Sequence, residues 1–203
     1  MFELRGHGRR PGPCTLGIKE VEDARSILTW TYQQKPERPL PVGVLGLSMG
    51  AAIVCQLAER EPQQVRAVVT DSAYSRFFPI LKRNIWRRYH VPPIPAAWIT
   101  WWTVQVVLRK RLSRLDPAAL APTLHQPLLA IQGGTDTQVP VPLAEEFYRR
   151  WAGPKEQWFD PAVGHVQMAT TFPERYADRV AAFFDRTLPD SPHLACQPKA
   201  GLL

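Results

Sequence analysis

The stretch Pro41-Val42-Gly43-Val44-Leu45-Gly46-Leu47-Ser48-Met49-Gly50-Ala51-Ala52-Ile53-Val54-Cys55-Gln56-Leu57 decides the fold. Val42 to Leu47 is a short apolar run closed by a proline on one side and a serine on the other, the pattern of a parallel strand buried between layers. From Met49 to Arg60 the composition turns helical, with Ala51, Ala52, Cys55 and Leu57 as its apolar positions. Gly46-Leu47-Ser48-Met49-Gly50 at the junction fits G-x-S-x-G. A turn that tight strains the backbone at the serine, and Gly46 and Gly50, lacking Cβ, are expected to let strand and helix come close. The Ser48 hydroxyl would then stand above the C-terminal end of its strand, where open α/β sheets bind ligands. A serine that merely caps the helix is the plain alternative. The strand before it and the helix after it favour the exposed serine.

Outward from this turn, strands and helices alternate. Ile18 to Gln34 reads as a helix, with Val21, Ala24, Ile27 and Leu28 on one face and acidic residues near its start, where the helix dipole favours them. Val65–Thr70, Pro127–Gln132 and Gln157–Asp160 read as further strands, Val141–Trp151 and Phe172–Leu188 as helices. Met1 to Leu4 reads as the tail of a strand, Arg5 to Leu16 as a Gly/Pro-rich loop, and 35–41 as a proline-bearing turn. Alternation of this kind implies βαβ units around a mostly parallel sheet. The expectation is one domain over 1–188, followed by a loose tail over 189–203.

A serine nucleophile needs a base to take its proton, and the base needs a carboxylate to orient it. On an α/β sheet these follow in the chain order Ser, Asp or Glu, His. Ser48, Asp136 and His165 supply that order. Asp136 lies just past a strand in Gln132-Gly133-Gly134-Thr135-Asp136, and His165 follows the last short strand in Val163-Gly164-His165. Asp71 also ends a strand and is the competing acid. His7 precedes the serine, His90 and His125 flank a basic segment, and His193 is in the tail, so each is the weaker base.

These motifs, together with Arg5-Gly6-His7-Gly8 and Val139-Pro140, resemble the α/β-hydrolase superfamily over roughly Phe2 to Leu188. The nearest likeness is to its serine aminopeptidase and monoacylglycerol-lipase-like branch. The resemblance implies an α/β-hydrolase fold, a Ser48–Asp136–His165 triad, an oxyanion donor in the Met49 backbone N–H, and no metal or cofactor. Gln132 and Arg10 depart from the family pattern, where histidine and a small residue are usual. The larger departure is at the front. Such proteins carry three strands before the Arg-Gly-His-Gly loop, and the last ends in a turn that gives a second oxyanion donor. The chain is therefore expected to be N-terminally incomplete, with the strand before Ser48 near a sheet edge.

Between the second and third strands the alternation breaks. Residues 73–115 hold nine basic side chains and no acidic one, which leaves 16 basic against 18 acidic elsewhere, so the net charge of +7 belongs to this segment. They also hold Trp86, Trp98, Trp101 and Trp102, four of the seven tryptophans. The resemblance implies a helical cap here, with its aromatic face packed down and its basic face in water. The sharper alternative is contact with a membrane surface through 96–111, since tryptophan favours the headgroup region and basic clusters favour anionic lipid. The charge is local and no binding motif accompanies it, so no nucleic-acid partner is expected.

Cys14, Cys55 and Cys196 are odd in number and lack metal-ligand spacing, which suits free thiols in a reducing compartment. No signal peptide is read at the start, and no apolar run reaches the ~20 residues of a membrane span. The expectation is thus a cytoplasmic serine hydrolase, peripheral to a membrane if 96–111 touches lipid, cleaving a carboxylic ester, thioester or small amide with an apolar acyl part. The rival is a catalytically impaired fragment or a non-catalytic binding module.

Overall fold

The computed structural model describes residues 3–34, 41–109 and 112–188. Four strands, β1 (Val42–Leu47), β2 (Val65–Asp71), β3 (Leu128–Gly133) and β4 (Lys155–Asp160), form one sheet in the order β1-β2-β3-β4. Every pairing is parallel. The helices are α1 (Glu20–Gln33), α2 (Met49–Arg60), α3 (Phe77–Tyr89), α4 (Pro93–Leu108), α5 (Pro117–Leu120), α6 (Val141–Arg150), α7 (Met168–Thr171) and α8 (Pro173–Thr187).

Side chains alternate across the central strands and fill two apolar layers. Val68, Leu128 and Ala130 pack with α1, α2 and α6 through Leu28, Val54, Leu57, Phe147 and Trp151. Ala67, Val69, Leu129 and Ile131 face the other way, onto Trp158, Val163, Met168 and Phe183. Each large side chain fully buried here is worth roughly 1.5–3 kcal/mol, so the middle of the sheet is its anchor. The register aligns the strand ends that matter: Leu47 lies beside Asp71, Asp71 beside Ile131, and Gly133 beside Asp160.

β1 ends the sheet among the described residues, and most of it is only half-buried. The sheet-edge expectation therefore holds, while the reading of β1 as a fully buried strand does not. An apolar groove of about 280 Å³ runs along it, lined by Leu28, Val44, Leu45, Ile53, Val54 and Leu57 among others.

The N-terminal segment also differs from its reading. Glu3 and Leu4 form no strand, and Leu4 packs against the core instead. The loop that follows is tied to α1 rather than to the sheet. Arg5 donates from Nε and Nη2 to the two oxygens of Asp23 at 2.8 and 2.7 Å, and its backbone N–H joins at 3.0 Å. Glu20 accepts from the Thr15 hydroxyl at 2.6 Å and from the Gly17 N–H at 2.9 Å. The acidic start of α1 thus holds the loop as well as suiting the dipole. Met1 and Phe2, most of the 35–41 turn, Lys110 and Arg111, and the tail with His193 and Cys196 lie outside the described residues.

The 73–115 segment folds as α3 and α4, joined through Phe78, whose ring lies 4.7 Å from that of Trp98 and 5.2 Å from that of Trp101. Trp101, Val104 and Leu108 pack inward around Ile18, Leu112 and Leu115. The outward side of α4 carries no basic face of its own. It is apolar, and the exposed cations sit on α3 and at the end of α4.

Candidate active site

Ser48 occupies the turn between β1 and α2 with φ 50° and ψ −115°. A positive φ is costly for a residue with a Cβ, of order 1–3 kcal/mol, and persists only where the surroundings enforce it. Here they do: the Ser48 N–H donates to the Asp71 carbonyl at 2.8 Å, and the Ser48 carbonyl accepts from Ala51 at 3.0 Å. Gly46 makes the turn sterically feasible, because a Cβ there would fall 2.3 Å from the Gly50 carbonyl oxygen. Gly50 has no such role. A Cβ on it would meet nothing within 4 Å, so only one of the two glycines is required for close approach.

Asp136 follows β3 in a tight turn. Its Oδ1 accepts the N–H groups of Gln138 and Val139, both at 2.8 Å. Its Oδ2 is left to face His165, with Nδ1 at 2.8 Å. The carboxylate side chain is fully buried, at 0% exposure. Burial pushes its pKa up, but donation from His165, Val139 and Gln138 outweighs this, and the group lies below the usual carboxylate value. Asp136 is therefore an anion at neutral pH. An anionic carboxylate only accepts, so Nδ1 carries the proton and Nε2 is free to accept. Nε2 lies 2.9 Å from the Ser48 hydroxyl oxygen. Side chains 117 residues apart in the chain are joined in one line of hydrogen bonds, Ser48 to His165 to Asp136.

The His165 loop is held from two sides. Thr135 donates its N–H to the Val163 carbonyl at 3.0 Å. Gly133 permits the approach, since a Cβ on it would fall 2.3 Å from the same carbonyl oxygen. Val166, at φ 56°, donates its N–H to the Ser72 hydroxyl at 3.0 Å. Ser72 in turn donates to Asp71 Oδ1 at 3.0 Å. The sequence reading missed Ser72, for which no motif speaks. It also missed Arg83 and Arg87 of α3, whose guanidinium groups donate to the Thr137 carbonyl at 2.6 and 2.9 Å, one residue past Asp136.

Asp71, the competing acid, is fully buried and bonds Ser72 rather than His165. Burial raises its pKa, against the pull of the Ser72 and Tyr176 hydroxyls. The Tyr176 phenol is raised too, by its own burial and by facing Asp71. Among the weaker bases, His7 places Nδ1 2.9 Å from the Arg5 carbonyl, His90 ends α3 in a left-handed conformation, and His125 is exposed.

Met49 is the first residue of α2, so its N–H has no carbonyl one turn back to donate to and points out of the helix start. Leu47, beside it, is exposed. Among the described residues no group of three or more His, Cys, Asp or Glu side chains is arranged to hold a metal ion.

Comparison with known proteins agrees with this fold. Residues 1–183 match the alpha/beta hydrolase family, a broader grouping than the branch the motifs resemble. An uncharacterised protein of Mycobacterium tuberculosis is 28% identical over 166 residues, which is 81% of this chain and 52% of that protein. The chain thus spans about half the length of the curated relatives it matches first. Among solved structures, the Pyrococcus furiosus esterase Pf2001 superposes with a TM-score of 0.72 at 26% identity, covering 92% of this chain and 69% of the esterase. A thermophilic esterase from Thermogutta terrifontis shares the fold, with a TM-score of 0.63 at 18% identity over 92% of this chain and 79% of its own. With a parallel sheet, a strained serine at the end of its edge strand and a family match over nearly the whole length, the chain belongs to the alpha/beta hydrolase family.

Proposed function

We propose that the protein is a serine hydrolase that cleaves carboxylic esters by acyl transfer, with thioesters and small amides as chemically related substrates. One observation carries the reading: His165 stands 2.9 Å from the Ser48 hydroxyl on one side and 2.8 Å from the buried Asp136 carboxylate on the other. In the proposed mechanism Ser48 Oγ attacks the ester carbonyl carbon while His165 Nε2 takes its proton. Asp136 keeps the Nδ1 tautomer and stabilises the imidazolium. The Met49 N–H receives the oxyanion. His165 returns the proton to the leaving alcohol, then draws one from a water that releases the acid and restores Ser48.

The Met49 N–H, at the start of α2, is the oxyanion donor assigned among the described residues. The apolar, aromatic make-up of α3 and α4, the segment where the resemblance implies a cap, supports an apolar acyl part. The test is a series of p-nitrophenyl esters of rising acyl length. The expected result is saturable hydrolysis that is abolished in Ser48→Ala and favours medium chains over acetate. Hydrolysis equal in wild type and Ser48→Ala would rule the reading out.

A further inference from the structure

Helix α4 is apolar on both faces, and only one face is covered. Trp101, Val104 and Leu108 are packed inward with Ile18, Leu112 and Leu115. The other face shows a stripe at helical spacing, Trp98, Trp102 and Val106, each four residues after the last, with Ile99 and Val107 beside them; Ile94, also exposed, precedes it in a non-helical conformation. Their exposures run from 47% at Trp98 to 72% at Val107. Single exposed apolar residues are ordinary, but five on the outward half of one helix, interrupted there by Thr103, are the kind of surface that marks a docking site. A helix apolar all round is normally buried in a core or in lipid, and here water is left on half of it.

The charges around α4 say what covers it. Lys82, Arg83, Arg87 and Arg88 lie on α3, which packs against α4 through Phe78, and the exposed Arg109 ends α4. Among the described residues none of these five joins an ion pair; Arg76, which pairs with Glu146 at 2.6 Å, is the exception in the segment. Arg83 and Arg87 donate to the neutral Thr137 carbonyl, which leaves their charge unpaired but turns them toward the loop after β3. Lys82, over the Phe78 ring that meets Trp98, and Arg109, at the end of α4, are the cations tied to the stripe. In sequence, Lys110 and Arg111 extend the run, and no acidic residue interrupts 73–115. Exposed Trp86 and Tyr89 add aromatic side chains suited to a headgroup layer. A second copy of the chain would bring the same cations against these and be repelled. An anionic bilayer surface complements both the apolar stripe and the charge.

We propose that the outer face of α4, with the basic end of α3, is a docking surface for an anionic phospholipid bilayer. The helix would lie in the interface plane, with Trp98, Trp102 and Val106 inserted among the acyl chain starts and the arginines at the headgroups. No described helix is long and apolar enough to cross a membrane, so the contact is peripheral. The proposal does not depend on the hydrolase reading, and its test needs no activity.

The experiment is sedimentation of the whole chain with phosphatidylcholine vesicles, with and without about 30% phosphatidylglycerol. Expected is binding to the anionic vesicles at least about tenfold tighter than to the neutral ones, weakened severalfold when salt is raised from about 0.1 M to about 0.5 M. Tryptophan emission should shift to the blue on binding. Trp102→Ser with Val106→Ser, both outward-facing, should lose most binding while keeping the circular dichroism spectrum. The wild-type comparison of the two vesicle types stands even if that variant fails to fold. Equal affinity for neutral and anionic vesicles, binding that survives in the folded double variant, or absence of binding together with a stripe-dependent dimer in light scattering would each overturn the proposal.

Discussion

The Ser72 hydroxyl accepts the backbone N–H of Val166 at 3.0 Å, tying the end of β2 to the loop that carries His165. Both residues sit at φ 56°, an unfavourable region for a β-branched valine in particular. The strain is held by this bond and by the Ser72–Asp71 bond behind it. Ser72 thus acts on the imidazole through the backbone without touching Ser48. Ser72→Ala is expected to lower stability by about 1–3 kcal/mol, the cost of leaving the buried Asp71 oxygen and the part-buried Val166 N–H unpaired. It should also slow Ser48 acylation by about tenfold with KM little changed. Steady-state kinetics on a p-nitrophenyl ester beside a urea titration reads both. A stability loss with acylation unchanged would reduce Ser72 to a packing role.

The two carboxylates at the strand ends should separate cleanly. Asp136→Asn is expected to cut the rate by about 10⁴-fold, because the amide disturbs the His165 tautomer. Asp71→Asn, which bonds Ser72 instead and makes no hydrogen bond to His165, is expected to stay within about tenfold of wild type. Rates measured from about pH 5 to pH 9 for both variants decide the assignment.

The elbow glycines should differ sharply. Gly46→Ala places a methyl 2.3 Å from a backbone oxygen and is expected to yield little folded protein. Gly50→Ala meets open space and should be neutral or stabilising by up to about 1 kcal/mol, as alanine usually is inside a helix. Soluble yield and thermal midpoints check the contrast.

Much of this was legible in the sequence, for identifiable reasons. The Val42–Arg60 segment declares a strand, a turn and a helix by composition alone, and chain order selects Asp136 and His165. Ser72 was not legible because its partner lies 94 residues away and neither residue belongs to a motif. The difference between Gly46 and Gly50 depends on which atoms surround each, which the G-x-S-x-G pattern does not encode. Which side of α4 packs inward was not legible for a related reason. Hydrophobic periodicity names a buried face only when the opposite face is polar, and the residues from Ala96 to Leu108 are apolar around nearly the whole turn.

The loop before α1 should carry an acid-sensitive share of the stability. Hydrogen bonds from Arg5 hold the Asp23 carboxyl at about 2, well below its ordinary value. A group depressed on folding stabilises fully above its unfolded pKa of about 4 and loses that contribution as pH falls through the folded value. Asp23→Asn is therefore expected to lower the urea midpoint at pH 7, with the gap from wild type closing between about pH 4 and pH 2. A gap unchanged over that range would mean that the Arg5–Asp23 pair contributes by shape and not by charge.

The most direct test of the central claim is mass-spectrometric mapping of the adduct formed with a fluorophosphonate. The expected result is one phosphonylated residue, Ser48, absent in Ser48→Ala and slowed by several orders of magnitude in His165→Ala. A folded wild-type chain that stays unlabelled under conditions that saturate ordinary serine hydrolases, or one whose label falls elsewhere, would contradict the assignment of Ser48 as nucleophile.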